Sequence, residues 1–168
     1  LDSAGAPIGV VNTDVATRLF LGDPLRGAMD PAVVLRDTRQ FVRAYPVGLF
    51  VDGVGPVVAN DAYASPRVWE DFVRDRYHAP TVAWGREVNL FLLGVAYQAR
   101  AGGGNDPAYS RELQAAARRV LEGVEASGFK SELWSYDFVN GAPRAVRYGS
   151  GGDVQLWSTT DLAVQYAL

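Results

Sequence analysis

Glu132, Leu133, Trp134, Ser135 and Tyr136 form the run best suited to chemistry, because alternation in an extended strand would set Glu132, Trp134 and Tyr136 on one face. Aromatic rings stack on the C–H faces of a sugar, and a carboxylate between them accepts a hydroxyl proton or activates water. Glycoside hydrolysis ordinarily needs two such carboxyl groups across the scissile bond, so a single Glu is half of that apparatus. The same spacing also fits a strand whose Glu is solvated and whose aromatics pack a core. Gln155, Leu156, Trp157 and Ser158 follow after a turn at Asn140 and Gly141, placing a second indole near the start of a last helix.

Other candidates gather ahead of an apolar stretch. His78, the one histidine, lies in Arg76 Tyr77 His78 Ala79 Pro80, a polar loop of the kind that carries binding groups. Trp84 follows, then Arg86 and Glu87, where a Glu in the first turn also favours the positive end of the helix dipole. Each has an ordinary structural alternative: a hydrogen-bonded histidine, a core tryptophan, a helix-start ion pair. With one His and no cysteine a His-rich zinc site is excluded, whereas carboxylate-based calcium binding is not. Gly102 Gly103 Gly104 precedes no phosphate-loop lysine, and neither a Gly-x-Ser-x-Gly elbow nor a dinucleotide fingerprint is present. No cofactor is implied.

The elements that would position these groups read as mostly helical. Asp30 before Pro31 and Asp106 before Pro107 are N-caps with proline at the first helical position, and Ser65 before Pro66 starts a shorter helix to about Arg74. The segment from Thr81 to Arg100 is apolar on almost every side, so it must be covered from several directions. The helix after Asp106 carries a one-sided stripe of Leu113, Ala117, Val120, Leu121 and Val124. A buried helix paired with an amphipathic one through a short loop is the αα-hairpin unit of helical barrels and solenoids. Residues 47–64 suggest short extended pieces, Glu132 to Val139 with Arg144 to Tyr148 a β-hairpin or long loop, and Asp153 to Tyr166 another inner helix, giving five or six helices.

Composition sets the outer limits. The 168 residues make one domain or domain segment, enough to bury roughly 70% of the unfolded chain's surface. At 48% hydrophobic, 21% charged and net charge -3, the chain suggests neither disorder nor an electrostatic nucleic-acid surface. The apolar run from Val88 to Ala99 is shorter than the about 20 residues a bilayer span needs. Fifteen of sixteen basic residues are Arg, a bias of GC-rich bacterial genomes, and with no cysteine the compartment is weakly constrained, an exported location being slightly favoured.

Four blocks in order, Val57 Val58 Ala59 Asn60 Asp61 Ala62 Tyr63 Ala64, then Tyr77 His78 with Trp84, then Glu132 Leu133 Trp134, then Gln155 Leu156 Trp157 Ser158 Thr159, resemble the C-terminal part of bacterial six-hairpin (α/α)6 glycosidases, the glucoamylase-, trehalase- and debranching-enzyme-like group. The resemblance covers roughly residues 45–168. It implies a mainly α, partial (α/α)6 toroid with a small β-hairpin near residues 131–148, and inverting hydrolysis of an α-linked glucoside or related oligosaccharide. Glu132 would be the base, with Tyr77, His78, Trp84, Arg86, Glu87, Trp134, Tyr136, Gln155 and Trp157 around the sugar. Such proteins tend to carry Tyr His Gly Thr and a Trp-x-Trp pair, where this chain has Tyr77 His78 Ala79 Pro80 and a single Trp84. Five or six helices make about half of a twelve-helix ring. The expectation is therefore a second chain that completes the ring and supplies the general acid. Two alternatives stand beside it: a non-catalytic carbohydrate-binding or assembly subunit, and a polysaccharide lyase recruiting Tyr77, His78 and Arg86 on a uronate.

Overall fold

The computed structural model describes residues 4–22, 29–60, 62–72, 74–75, 79–102 and 106–149, together with 163, 164 and 166. Strand β1 (Val11–Asn12) leads into helix α1 (Asp14–Leu21), which turns Val15, Ala16 and Leu19 inward. Helix α2 (Pro31–Val42) opens at Asp30, whose carboxylate accepts the Ala32 N–H at 2.8 Å. Three two-residue strands follow, β2 (Phe50–Val51), β3 (Gly55–Pro56) and β4 (Ala59–Asn60), then the short helix α3 (Pro66–Phe72). Strand β5 (Ala83–Trp84) runs into helix α4 (Gly85–Gly102). Helix α5 (Pro107–Ser127) starts at Asp106, which accepts from the N–H groups of Ala108 and Tyr109, and stops at left-handed Gly128. Strands β6 (Leu133–Val139) and β7 (Ala142–Arg147) close a hairpin through Asn140 and Gly141, both at positive φ as a tight two-residue turn requires.

Helix α4 is the axis of the molecule. Helices α1, α2 and α5 all pack on it, which is why its sequence is apolar on nearly every side. Phe41 of α2 stacks on Phe91 of α4 with ring centroids 4.0 Å apart, and Gln98 of α4 holds two chain segments at once. Its amide donates to the Leu19 carbonyl and its oxygen accepts the Met29 N–H, each at 3.1 Å. Where α1 crosses α4 the residue is Gly94: a Cβ there would lie 2.8 Å from Leu19 C, Leu19 Cβ and Phe20 N. The crossing is therefore backbone on backbone.

Three antiparallel sheets complete the fold, pairing β1 with β4, β2 with β3, and β5 with β6 and β7 in that order. Register runs Val11 opposite Asn60, Ala83 opposite Trp134 and Trp84 opposite Leu133. Along β6, Trp134 and Tyr136 enter the main core, while Leu133 joins a smaller cluster with Val58, Ala79 and Val82. Asn60 anchors the intervening loop: its amide donates to the carbonyls of Pro46 (2.5 Å) and Gly48 (2.7 Å), and its oxygen accepts the Ala62 N–H (2.8 Å). No helix among the described residues is long and apolar enough to cross a membrane.

This architecture corrects the toroid expectation. With 51% helix, 18% strand and three antiparallel sheets, the chain is mixed α/β rather than mainly α, and its five described helices do not form part of an (α/α)6 ring. The physical reason lies in α4. An inner helix of a barrel is covered by ring neighbours on both flanks and by its outer mate; α4 is covered as thoroughly by three helices of this same chain. The structural ground for the six-hairpin glycosidase resemblance falls with the ring. The helix expected from Thr81 begins at Gly85, because Ala83 and Trp84 are drawn into the sheet against β6. The helix expected over Asp153 to Tyr166 lies almost wholly outside the described residues.

Candidate functional site

One cavity of about 240 Å³ lies where the first turns of α1 and α4 meet the β4 segment, lined by Asn12, Thr13, Asp14, Thr17, Val58, Ala59, Trp84, Arg86 and Glu87. Its walls are set by backbone bonds that link distant parts of the chain. The Thr13 N–H donates to Val58 O (3.0 Å), the Val58 N–H to Val82 O (2.7 Å), and the Gly85 N–H to Glu132 O (2.8 Å). The start of α1, the strand before α4 and the start of β6 are thereby held in one frame.

Glu87 is the unusual group. It is only 5% exposed, its carboxylate pairs with the guanidinium of neighbouring Arg86, and Thr13 lines the same cavity. Burial pushes its pKa up and outweighs the opposing pull of Arg86 and Thr13, with the nearby Asp14 charge adding to the rise. Thr13 occupies the N-cap position of α1 but makes no side-chain cap bond there. Capping falls instead to Asn12, whose oxygen accepts the Asp14 N–H at 3.3 Å and whose amide donates to the Asp14 carboxylate at 2.8 Å. Asp14 itself is exposed. The Arg86 guanidinium carbon stands 5.2 Å from the Trp84 ring centroid, within cation–π range, and Trp84 in turn packs on the small cluster around Val58 and Leu133.

Of the residues singled out from the sequence, the structure brings Trp84, Arg86 and Glu87 into this one cavity. Glu132 is buried at 5% exposure, gives its carbonyl to Gly85, and is not among the residues lining the cavity. Trp134 and Tyr136 sit in the main core, the Trp134 indole N–H donating to Val54 O at 2.9 Å. Tyr77, His78, Gln155 and Trp157 lie outside the described residues. Sequence reasoning missed Asn12, Thr13, Asp14 and Thr17. The signal was present: a run of Asn, Thr and Asp directly before Val15, Ala16 and Leu19 is a helix-start pattern.

A second cavity of about 450 Å³ lies between the N-terminal segment and α3, beside Ile8, Tyr63 and Arg67. None of its lining residues is buried, so it holds no polar group in a defined low-dielectric setting. Among the described residues no group of three or more His, Cys, Asp or Glu is arranged to hold a metal ion.

Comparison of the chain with protein-family models, with curated proteins and with solved structures finds no match, so the six-hairpin glycosidase resemblance has no support from relatives either.

Proposed function

We propose that this chain is a saccharide-binding domain whose ligand seats in the cavity between the starts of α1 and α4. One observation carries the reading: an indole, two carboxylates, a guanidinium, an amide and two hydroxyls converge on a single small cavity. That is the mixture sugar recognition uses, a ring to stack on and several donors and acceptors for hydroxyls. At about 240 Å³ the space is below the roughly 300–1,000 Å³ of pockets for drug-sized ligands and suits one sugar ring. The ligand's hydroxyls meet Asn12, Asp14 and Glu87, with Trp84 as the apolar platform. This reading requires no second chain to complete the cavity.

Hydrolysis is a second reading, favoured by the contrast between the two carboxylates. Glu87, buried and held toward its protonated form, suits the acid that protonates a leaving oxygen; exposed Asp14 suits the base that activates water. The test is calorimetric titration with neutral monosaccharides and a panel of chromogenic glycosides on the wild type, Trp84→Ala and Glu87→Gln. Binding that weakens at least tenfold in Trp84→Ala supports the site, and release of chromophore lost in Glu87→Gln supports hydrolysis. Binding indifferent to both substitutions removes this cavity from the function.

A further inference from the structure

Arg86 already does inside the cavity what a bound ligand would do. Its guanidinium lies over the Trp84 ring with its carbon 5.2 Å from the centroid, and the same group pairs with the Glu87 carboxylate. A cation thus sits between an indole and a buried carboxylate, two groups that hold ammonium and guanidinium well together. Arg86 is the single cationic residue among those lining the cavity, against the carboxylates of Glu87 and Asp14. Its side chain is 29% exposed against 7% for Glu87, so the guanidinium is the member of the pair nearer solvent.

These positions discriminate between ligand charges. A neutral sugar that stacks on Trp84 displaces Arg86 and leaves the Glu87 charge buried without its partner, which is costly. An anionic sugar meets two carboxylates. A ligand carrying a protonated amine replaces the guanidinium on both the ring and Glu87 and gains Asp14 as a further counter-charge. Resting on the saccharide reading above, we propose that the cavity takes an amine-bearing sugar, whose ammonium group exchanges with Arg86 between Trp84 and Glu87. Burial holds Glu87 partly toward its protonated form, and the groups facing it are Arg86, Thr13 and Asp14, so arrival of a cation also favours proton release from Glu87.

The experiment titrates the intact chain at neutral pH with glucosamine, glucose, N-acetylglucosamine, glucuronate and methylguanidinium. Glucosamine binding about tenfold tighter than glucose or N-acetylglucosamine, weakened by salt and by Asp14→Asn, is the expected result. Methylguanidinium binding that tightens in Arg86→Ala, where the internal cation is gone, is expected independently of any sugar. Asp14 is exposed, so Asp14→Asn keeps the test valid even where Glu87→Gln perturbs folding. Glucose or glucuronate binding as tightly as glucosamine overturns the amine preference and leaves the saccharide reading standing. Methylguanidinium binding without any sugar overturns the saccharide reading and leaves cation exchange standing. Binding of neither overturns both.

Discussion

Thr13 and Glu87 line one cavity from the starts of two different helices, and Thr13 favours the ionised Glu87 carboxylate although it stands where a helix N-cap would normally turn its side chain to its own helix. A residue of α1 thereby serves a carboxylate of α4. Thr13→Val keeps the shape and removes the donor, so the Glu87 carboxyl should titrate at a higher pH than in the wild type, with a stability loss of about 1 kcal/mol near neutrality. Thr13→Ser should restore both. Carbon-detected titration of Glu87 by NMR reads the first, and urea unfolding the second; an unmoved Glu87 titration in Thr13→Val would sink the assignment.

Glu87 also links stability to pH. Because its folded pKa is raised, its contribution is fully present below the ordinary carboxylate range, where it is protonated in both states, and is lost as pH rises through the folded value. Glu87→Gln removes the ionisation. Thermal melts should show the variant gaining on the wild type as pH climbs from about 4.5, the ordinary value, and losing that gain on acidification. A constant difference at all pH values would mean the carboxyl is not held toward its protonated form.

Gly94 permits the close crossing of α1 and α4. Gly94→Ala gains roughly 1 kcal/mol of helix propensity, yet its methyl meets Leu19 and Phe20 backbone at 2.8 Å, and neither can move alone. Because the methyl meets backbone atoms, overpacking of about 1–3 kcal/mol should outweigh that gain, for a net loss of up to about 2 kcal/mol in denaturant unfolding. Since the starts of both helices line the cavity, ligand binding should weaken as well. Unchanged or higher stability would show that the crossing relaxes freely.

Two tryptophans should separate structure from binding. Trp134→Phe leaves the buried Val54 carbonyl without its indole donor and should cost about 1–3 kcal/mol with ligand affinity unchanged. Trp84→Phe should do the reverse, altering affinity more than stability. Glu132→Gln should resemble Trp134→Phe in leaving the cavity's ligand in place, because Glu132 does not line it.

The sequence disclosed whatever was specified locally. Asp30 with Pro31, Asp106 with Pro107, and Asn140 with Gly141 each carry their own geometry within a few residues, and the helices and hairpin there were readable. Pairings between distant segments were not. Trp84 opposite Leu133 rests on two residues of β5, too few to show a period-2 pattern, and it moves the start of α4 by four residues. Helix α1 is eight residues long, so its apolar face amounts to little more than Val15, Ala16 and Leu19. The cavity was half visible for the same reason: Trp84, Arg86 and Glu87 are neighbours in sequence, whereas Thr13 and Asp14 join them through the fold alone. Aromatic alternation in β6 was legible, but alternation does not say which face meets solvent.

The Asn60 side chain, tied to Pro46, Gly48 and Ala62, belongs to the strand that pairs with Val11 and Asn12. One amide therefore fastens the back of the cavity between α1 and α4 to the 46–48 bend. A ligand entering it would press on a stiff rear surface and a yielding front, so any adjustment on occupancy should concentrate in the Arg86 side chain, and amide exchange at Asn12 and Ala59 should stay slow throughout.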